Sequence, residues 1–167
     1  MDCFIACWET KYYYDNSRPY HQVHHLMGNE DIMGWGGPHK GMLKMKGKDW
    51  RPYSPDSFLC PPFPAYPSGH STVSGGCAEA LKLYTGSDDY GVEVRLLPGW
   101  LTEPGITTDS ITLKFPTFSS AAEQAGFSRV LGGYHIQADN VEGLSMGRKV
   151  AGVVFGKCMG YIRGTAK

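Results

Sequence analysis

Apolar residues recur at three- and four-residue intervals in several segments of the chain, a spacing that places them on one face of an α-helix. Near the N-terminus, Phe4, Trp8 and Tyr12 follow this pattern, and Pro19 would end the helix. The same periodicity returns three times further along the chain. It predicts helices over residues 3–17, 70–84, 117–130 and 137–161.

The second of these helices has the clearest stripe of apolar side chains, formed by Val73, Cys77, Leu81 and Tyr84. Gly86 follows the stripe and is typical of a helix stop. The stripe therefore predicts both the face that the helix buries and the place where it ends.

The last predicted helix is unusual because its glycines recur every four residues, at positions 143 and 147 and again at 152, 156 and 160. Four-residue glycine spacing lets another helix approach closely, and in a lipid bilayer it is typical of a transmembrane dimer. Lys149 and Lys157 flank the most apolar stretch. They favour close packing within a soluble helical bundle instead.

Two segments lack the helical period. Residues 87–116 contain the alternating runs VEVRLL and SITLKF, separated by turn residues, and predict a hairpin. Residues 28–66 are rich in Gly, Pro and Lys and predict a long loop, which is often functional when ordered. The predicted fold is mainly α, a helical bundle with a small extended, β-hairpin-like insertion around 87–116, in a single domain across 1–167.

Composition excludes several classes of partner. The 167 residues include 16 basic and 16 acidic ones, so no basic excess favours nucleic acid or an anionic membrane surface. No run approaches the ~20 apolar residues that span a bilayer, so no membrane insertion is expected. The start of the chain lacks a signal peptide, which favours the cytoplasm. The five cysteines form no C-x-x-C pair and predict reduced thiols.

A first cluster of candidate functional residues lies in KYYYDNSRP. Lys11 and Arg18 are seven residues apart, so on one helix they would share a face, ~10 Å apart along the axis, and converge on one anion. The alternative is a solvated basic face. The segment Lys44–Pro52 repeats the spacing, but Gly47 weakens a helix there and Asp49 would bring a negative charge. We therefore favour the first copy.

A second cluster is PSGH, residues 67–70. Ser68 offers a hydroxyl, Gly69 a backbone N–H without a side-chain clash, and the helix that follows adds partial positive charge. His70 can donate to an oxygen or exchange a proton near neutral pH. The alternative is a helix cap followed by a surface histidine.

A third cluster is SRVLGGYHIQAD, residues 128–139. Arg129 adds a second guanidinium, and a bend at Gly132 and Gly133 would return His135 towards it. Asp139 follows His135 by four residues, so its carboxylate can hold one ring nitrogen and direct the other inward. Such a histidine is a nucleophile or a metal ligand; the alternative is a surface contact along a helix.

The three clusters occur in one order: Lys-x6-Arg-Pro, Pro-Ser-Gly-His, then Ser-Arg-x5-His-x3-Asp. This order resembles the superfamily that unites vanadium-dependent haloperoxidases with type 2 phosphatidic-acid phosphatases and bacterial acid phosphatases. The resemblance covers residues 8–156. The flanks PPFPAYPSGHST and AGFSRVLGGYHIQADN, with Trp8 ahead of the lysine, look most like the soluble haloperoxidase branch.

The resemblance implies vanadate as the cofactor. Its oxygens would be surrounded by Lys11, Arg18, Ser68, Gly69 and Arg129. His135 would bind vanadium, His70 would act as acid and base, and Asp139 would orient His135. The implied partners are hydrogen peroxide, a halide such as bromide, and a small organic acceptor. The implied product is a hypohalous-acid equivalent.

The same residues also suit two other functions. In a soluble acid phosphatase, which needs no cofactor, His135 would form a phosphohistidine and His70 would protonate the leaving group. A non-catalytic remnant would only bind oxyanions. Members of the superfamily place further helices before the lysine helix, whereas ten residues precede Lys11 here. We therefore expect the C-terminal catalytic portion of a longer haloperoxidase-like domain, whose uncovered apolar faces would favour homo-oligomers.

Overall fold

The computed structural model describes residues 1–37, 39–54, 60–98 and 110–166. Its helices are α1 (Asp2–Tyr14), α2 (Pro19–Leu26), α3 (Gly69–Thr85), α4 (Phe118–Leu131) and α5 (Gln137–Ile162). Its strands are β1 (Asp31–Trp35), β2 (Met42–Lys46), β3 (Asp89–Leu96) and β4 (Ile111–Thr117), and a 3-10 turn spans Gly47–Asp49. The predicted mainly α fold with a small hairpin is confirmed.

Small residues let α3 and α5 pack closely along most of α3. A Cβ atom added to Gly143 of α5 would lie 2.8 Å from the carbonyl oxygen of Ser68, and one added to Gly75 of α3 would lie 2.8 Å from that of Leu144. The predicted close approach is therefore confirmed for the first glycines of α5. At Gly152 and Gly156 an added Cβ would meet nothing within 4 Å among the described residues, so close packing there stays a prediction.

The apolar core between the helices is small. It consists of Ala78, Ala122 and Leu144, with Phe118 packed against it. The predicted stripe on α3 faces away from this core, since Leu81 and Tyr84 are 46% and 80% exposed. The helix and its stop at Gly86, which adopts a positive φ of 76°, are as predicted, but α3 buries its small residues and not this stripe.

The prediction of one helix from residue 3 to residue 17 is wrong at its end. The helix α1 stops at Tyr14 because Asp15 adopts the left-handed conformation, with φ 45°. Arg18 has extended backbone and caps α2, with Pro19 as its first residue. Proline suits a first helical position because the N–H that it lacks has no partner within the helix. Pro19 therefore begins a helix instead of ending one.

The segment 28–66, predicted as a long loop, contains an antiparallel hairpin. The strands β1 and β2 pair Asp31 with Lys46 and Trp35 with Met42, and Asp31 forms ion pairs with Lys44 and Lys46 at 2.9 and 2.8 Å. Each strand has five residues, too few for a clear period in the sequence. The insertion around 87–116 is a hairpin as predicted, formed by β3 and β4; its residues 99–109 lie outside the described ranges.

Two further findings concern membrane-spanning helices and the cysteines. Within the described ranges, none of the helices combines the length and the apolar character that a bilayer crossing requires. All five cysteines lie in these ranges and are free thiols, as their number and spacing predict.

Candidate active site

Lys11 is fully buried beneath the segment that leads into α3. Its Nζ atom donates to the carbonyl oxygens of Pro64, Ala65 and Pro67 at 2.9, 2.9 and 2.6 Å, which uses all three N–H groups of an ammonium. Loss of water around the buried ammonium lowers the pKa of Lys11 to about 8. Lys11 thus fixes the path of this segment and brings a positive charge beneath it.

Arg18 holds the same segment from its other side and is only 3% exposed. Its guanidinium donates to the carbonyl oxygens of Phe63, Pro64 and Tyr134 at 3.1, 3.3 and 3.2 Å. The Nη1 atom also lies 2.9 Å from Nε2 of His135. The predicted shared helix face is wrong, because Arg18 lies beyond the end of α1. The turn at residues 15–17 nevertheless brings both cations to one segment.

His135 precedes α5, and its ring is nearly buried between Arg18 and Asp139. The Nδ1 atom lies 2.9 Å from Oδ2 of Asp139. A guanidinium has no acceptor, so the Nε2 atom facing Arg18 must accept, and the ring proton belongs on Nδ1, which donates to Asp139. Burial lowers the pKa of His135, which favours this neutral form. The lone pair of Nε2 therefore accepts from Nη1 of Arg18, while the opposite side of the ring is held by Asp139.

Asp139 also joins α5 to the start of α3. Its backbone carbonyl accepts a hydrogen bond from the N–H of Ser68 at 2.9 Å, while its carboxylate holds His135. The predicted four-residue pairing of His135 with Asp139 is therefore present. The pair begins before the first residue of α5 and is nearly buried, so it is not a surface contact along a helix.

Residues 68–70 form the N-terminus of α3. Ser68 caps the helix, and its Oγ accepts from the N–H of Ser71 at 3.3 Å. Gly69 and His70 occupy the first two helical positions, whose N–H groups have no carbonyl partner within the helix. A Cβ added to Gly69 would lie 3.3 Å from the Trp8 ring and 3.9 Å from Cε of Lys11. Glycine therefore keeps this N-terminus open beside the buried ammonium.

His70 has an exposed side chain at the edge of the site. Its pKa is lowered first by partial burial of the ring, and then by the positive charges of Arg129, Arg18 and Lys11. The three cations that the sequence singled out therefore act on one imidazole. At neutral pH this histidine is largely uncharged and can take up a proton.

Arg129 reaches the site from the last turn of α4. Its guanidinium carbon lies 4.8 Å from the centre of the Tyr134 ring. Burial is the main cause that lowers the pKa of Arg18, and the charge of Arg129 adds to it. Gly133 has a φ of 79°, a conformation that favours glycine, and it turns the chain back towards His135. The predicted bend is therefore present.

The structure brings all eight predicted residues to one place. We call this set the cradle: Lys11, Arg18, Ser68, Gly69, His70, Arg129, His135 and Asp139. The repeated spacing further along the chain lies outside it. Lys44 is on β2 and pairs with Asp31, and Arg51 donates to the hydroxyl of Tyr20 at 2.5 Å.

A family model describes a domain of this kind. The model of the VCPO second helical-bundle domain matches residues 1–164. The chain belongs to this family. The haloperoxidase superfamily expected from the three sequence clusters is thereby confirmed.

Solved structures of vanadium-dependent haloperoxidases have the same fold. The holo-type and apo-type crystal structures of a bacterial vanadium-dependent chloroperoxidase are each 28% identical to this chain, with TM-scores of 0.80 and 0.81. The first bacterial vanadium-dependent iodoperoxidase is 26% identical, with a TM-score of 0.60. Each match covers 92% of this chain but only 30–33% of the other, so the chain spans about a third of their length. A comparison with curated proteins gave no significant match.

Two residues that shape the cradle were not singled out from the sequence. Phe63 packs against both buried cations, with its ring centre 5.5 Å from Nζ of Lys11 and 5.0 Å from the guanidinium carbon of Arg18. Asn140 accepts a hydrogen bond from Oγ of Ser71 at 2.8 Å and adds a second link between α5 and α3. Phe63 stands in a run of prolines and aromatics, and Asn140 stands beside Asp139. Neither position carries a pattern that predicts these contacts.

Proposed function

We propose that this chain is the catalytic portion of a vanadium-dependent haloperoxidase, which oxidises a halide such as bromide with hydrogen peroxide to a hypohalous-acid equivalent. The observation that carries the proposal is the nearly buried His135, whose Nδ1 lies 2.9 Å from Asp139 and whose Nε2 accepts from Arg18, a bond that an entering ligand of Nε2 would replace. A neutral imidazole nitrogen is a metal ligand, and cations surround the position where an anion would bind.

The donor set of the cradle fits orthovanadate. Its cations suit the negative oxygens, and the start of α3 supplies N–H groups and the Ser68 hydroxyl. The oxygens would be held by Lys11, Arg18, Ser68, Gly69 and Arg129, and the vanadium by His135. When bound, vanadate supplies a Lewis acid that polarises peroxide. Lys11 donates its N–H groups to backbone carbonyls, so its contribution to the anion is mainly its charge.

Asp139 and His70 control where protons are bound in the site. Asp139 keeps the ring proton of His135 on Nδ1 and leaves Nε2 unprotonated. His70, exposed at the edge of the cradle, would accept a proton from hydrogen peroxide and donate a proton to the water that is released. Its lowered pKa keeps it able to accept a proton at neutral pH.

The test is bromination of a dione reporter by the purified chain with peroxide and bromide, titrated with orthovanadate. We expect activity that rises with vanadate, saturates and is competed by phosphate. His135→Ala should abolish this response, whereas His25→Ala, an exposed histidine on α2, should leave it unchanged. A folded chain whose activity ignores vanadate would contradict the proposal.

A soluble acid phosphatase is the second candidate, because the same neutral Nε2 is suited to attack phosphorus. In that reaction the bond from Nε2 to phosphorus forms as the ester P–O bond breaks, His70 protonates the departing alcohol, and water then hydrolyses the phosphohistidine. Acid-quench trapping of a phosphohistidine from an aryl phosphate would favour this function. A chain that binds phosphate but shows neither activity would be an oxyanion-binding remnant.

His70 separates the enzymes from the remnant. His70→Ala should lower turnover by about a hundredfold or more, while the affinity for phosphate changes little, because a binding site needs cations but no proton transfer. Equal losses of turnover and affinity would show that His70 acts as a binding group only.

A further inference from the structure

A second cavity lies next to the cradle, between the β1–β2 hairpin and the end of α4. We call it the hairpin cleft; its volume is about 870 Å³, within the range of small-molecule sites. Its apolar wall is formed by Met33, Trp35, Met42, Trp50 and Tyr53. The opposite wall is the end of α4 with the turn at Gly132 and Gly133.

The wall of the hairpin cleft is closely packed. A Cβ added to Gly34 would lie 2.7 Å from the Trp50 ring, and one added to Gly133 would lie 3.5 Å from the same ring. The Trp50 ring therefore fills the space between the hairpin and the turn that precedes His135. The rings of Trp35 and Tyr53 pack at 4.7 Å beside it. Large aromatic surfaces of this kind bind flat apolar rings.

The described part of the hairpin cleft carries positive charge. Among the described lining residues, the charged ones are Arg51 and Arg129. Arg51 stacks on the Tyr20 ring at 5.8 Å. Arg129 belongs to both the cleft and the cradle, so a ligand that meets its guanidinium lies beside the site where the oxidant would form. Two guanidinium groups favour a carboxylate or a phenolate.

We propose that the hairpin cleft binds an aromatic anion, a phenolate or an aryl carboxylate, as the organic acceptor of the haloperoxidase. The proposal rests on the function proposed above. The hypohalous acid from the cradle reacts with a ring C–H: the carbon–halogen bond forms, the oxygen–halogen and carbon–hydrogen bonds break, and the ring proton leaves with the hydroxide as water. The two-electron oxidant is the hypohalous acid, which the peroxide and halide supply.

Calorimetric binding of 2-naphthoate tests the cleft without vanadate, peroxide or halide. Phosphate is added at saturation so that the probe does not bind in the cradle. We expect Trp35→Ala and Tyr53→Ala each to weaken binding by about tenfold. Arg51→Gln should weaken 2-naphthoate by about threefold but leave neutral 2-naphthamide unchanged. The matched controls Tyr84→Ala and Arg95→Gln, at exposed positions away from the cleft, should bind normally.

Two outcomes would overturn the proposal: complete displacement of 2-naphthoate by phosphate, or unchanged affinity in both Trp35→Ala and Tyr53→Ala. Each variant is first checked for the helical circular dichroism of the parent chain. Bromination of the small dione reporter tests the cradle separately. Naphthoate binding without bromination would overturn the proposed function and the acceptor role with it, but would keep the cleft as a binding site for aromatic anions. Bromination without naphthoate binding would overturn the cleft alone.

Discussion

The cradle and the apolar core differ in a way that reverses the usual pattern of burial. The core consists of small side chains with one leucine, Leu144, which is 7% exposed. In the cradle, the charged side chains of Lys11, Arg18 and Asp139 are 0–3% exposed. Charged groups are rarely so buried unless they are paired or serve a function. The difference indicates that the polar contacts of the cradle hold the helices together.

The largest effects are expected when the stability losses from substituting Arg18 and Leu144 are compared. Arg18→Met leaves the carbonyl oxygens of Phe63 and Tyr134 buried without this donor, and should lower the free energy of unfolding by about 3 kcal/mol. Leu144→Ala should lower it by about 2 kcal/mol, because the site can relax around small neighbours. Urea denaturation of both variants measures the two values. A larger loss for Leu144→Ala would show that the apolar core dominates stability.

A bound oxyanion should strengthen the cradle and leave the core untouched. Phosphate at a hundred times its dissociation constant should raise the free energy of unfolding by about 2.7 kcal/mol. Arg129→Gln should remove most of this gain, whereas Arg148→Gln, whose parent side chain pairs with Glu123 on the surface, should keep it. Urea titrations with and without phosphate give the result. An equal gain in both variants would exclude Arg129 from the cradle.

Lys11 should make anion affinity depend on pH. Its pKa is lowered to about 8, so its charge is present below that pH and lost above it. Sulfate keeps a constant charge over this range, and its affinity should fall by about threefold between about pH 7 and about pH 9.5. Calorimetry measures the affinity, and Lys11→Arg should flatten the dependence. A free chain without anion should show the opposite trend: the unfolded state, where lysine titrates near 10.5, binds the proton more tightly, so stability rises with pH between the two values.

The smallest effect is expected at the exposed edge of the cradle. His70→Ala removes an exposed side chain and should change the free energy of unfolding by less than about 0.5 kcal/mol, whatever it does to turnover. Thermal and urea unfolding measure this change. A loss comparable with that of Arg18→Met would mean that His70 belongs to the structural part of the cradle.

The sequence allowed most of the fold to be predicted: the helices expected over residues 70–84, 117–130 and 137–161 correspond to α3, α4 and α5. The pairing of His135 with Asp139 was also predictable, since it depends only on a four-residue spacing. The prediction that Lys11 and Arg18 share one helix face was wrong. The run Asp-Asn-Ser-Arg before Pro19 is typical of a turn and a new helix start. These residues end α1 although the apolar spacing predicted a helix as far as residue 17.

The partners of the buried cations could not be predicted from residue types. Lys11 donates to backbone carbonyl oxygens, and every residue carries one. Only the path of the chain decides which carbonyls come within reach. For the same reason the β1–β2 hairpin could not be predicted from the sequence. Its five-residue strands depend on pairing with each other more than on their own pattern.

The contact between Arg18 and His135 also affects which ions can bind at Nε2. Imidazole is a common protein ligand for zinc and copper, yet here Nη1 of the permanently charged Arg18 lies 2.9 Å from Nε2 of His135. A divalent cation approaching Nε2 would meet like charge at close range, whereas an oxyanion would be drawn to the same guanidinium. The guanidinium of Arg18 therefore disfavours divalent cations at Nε2 of His135 and favours oxyanions there.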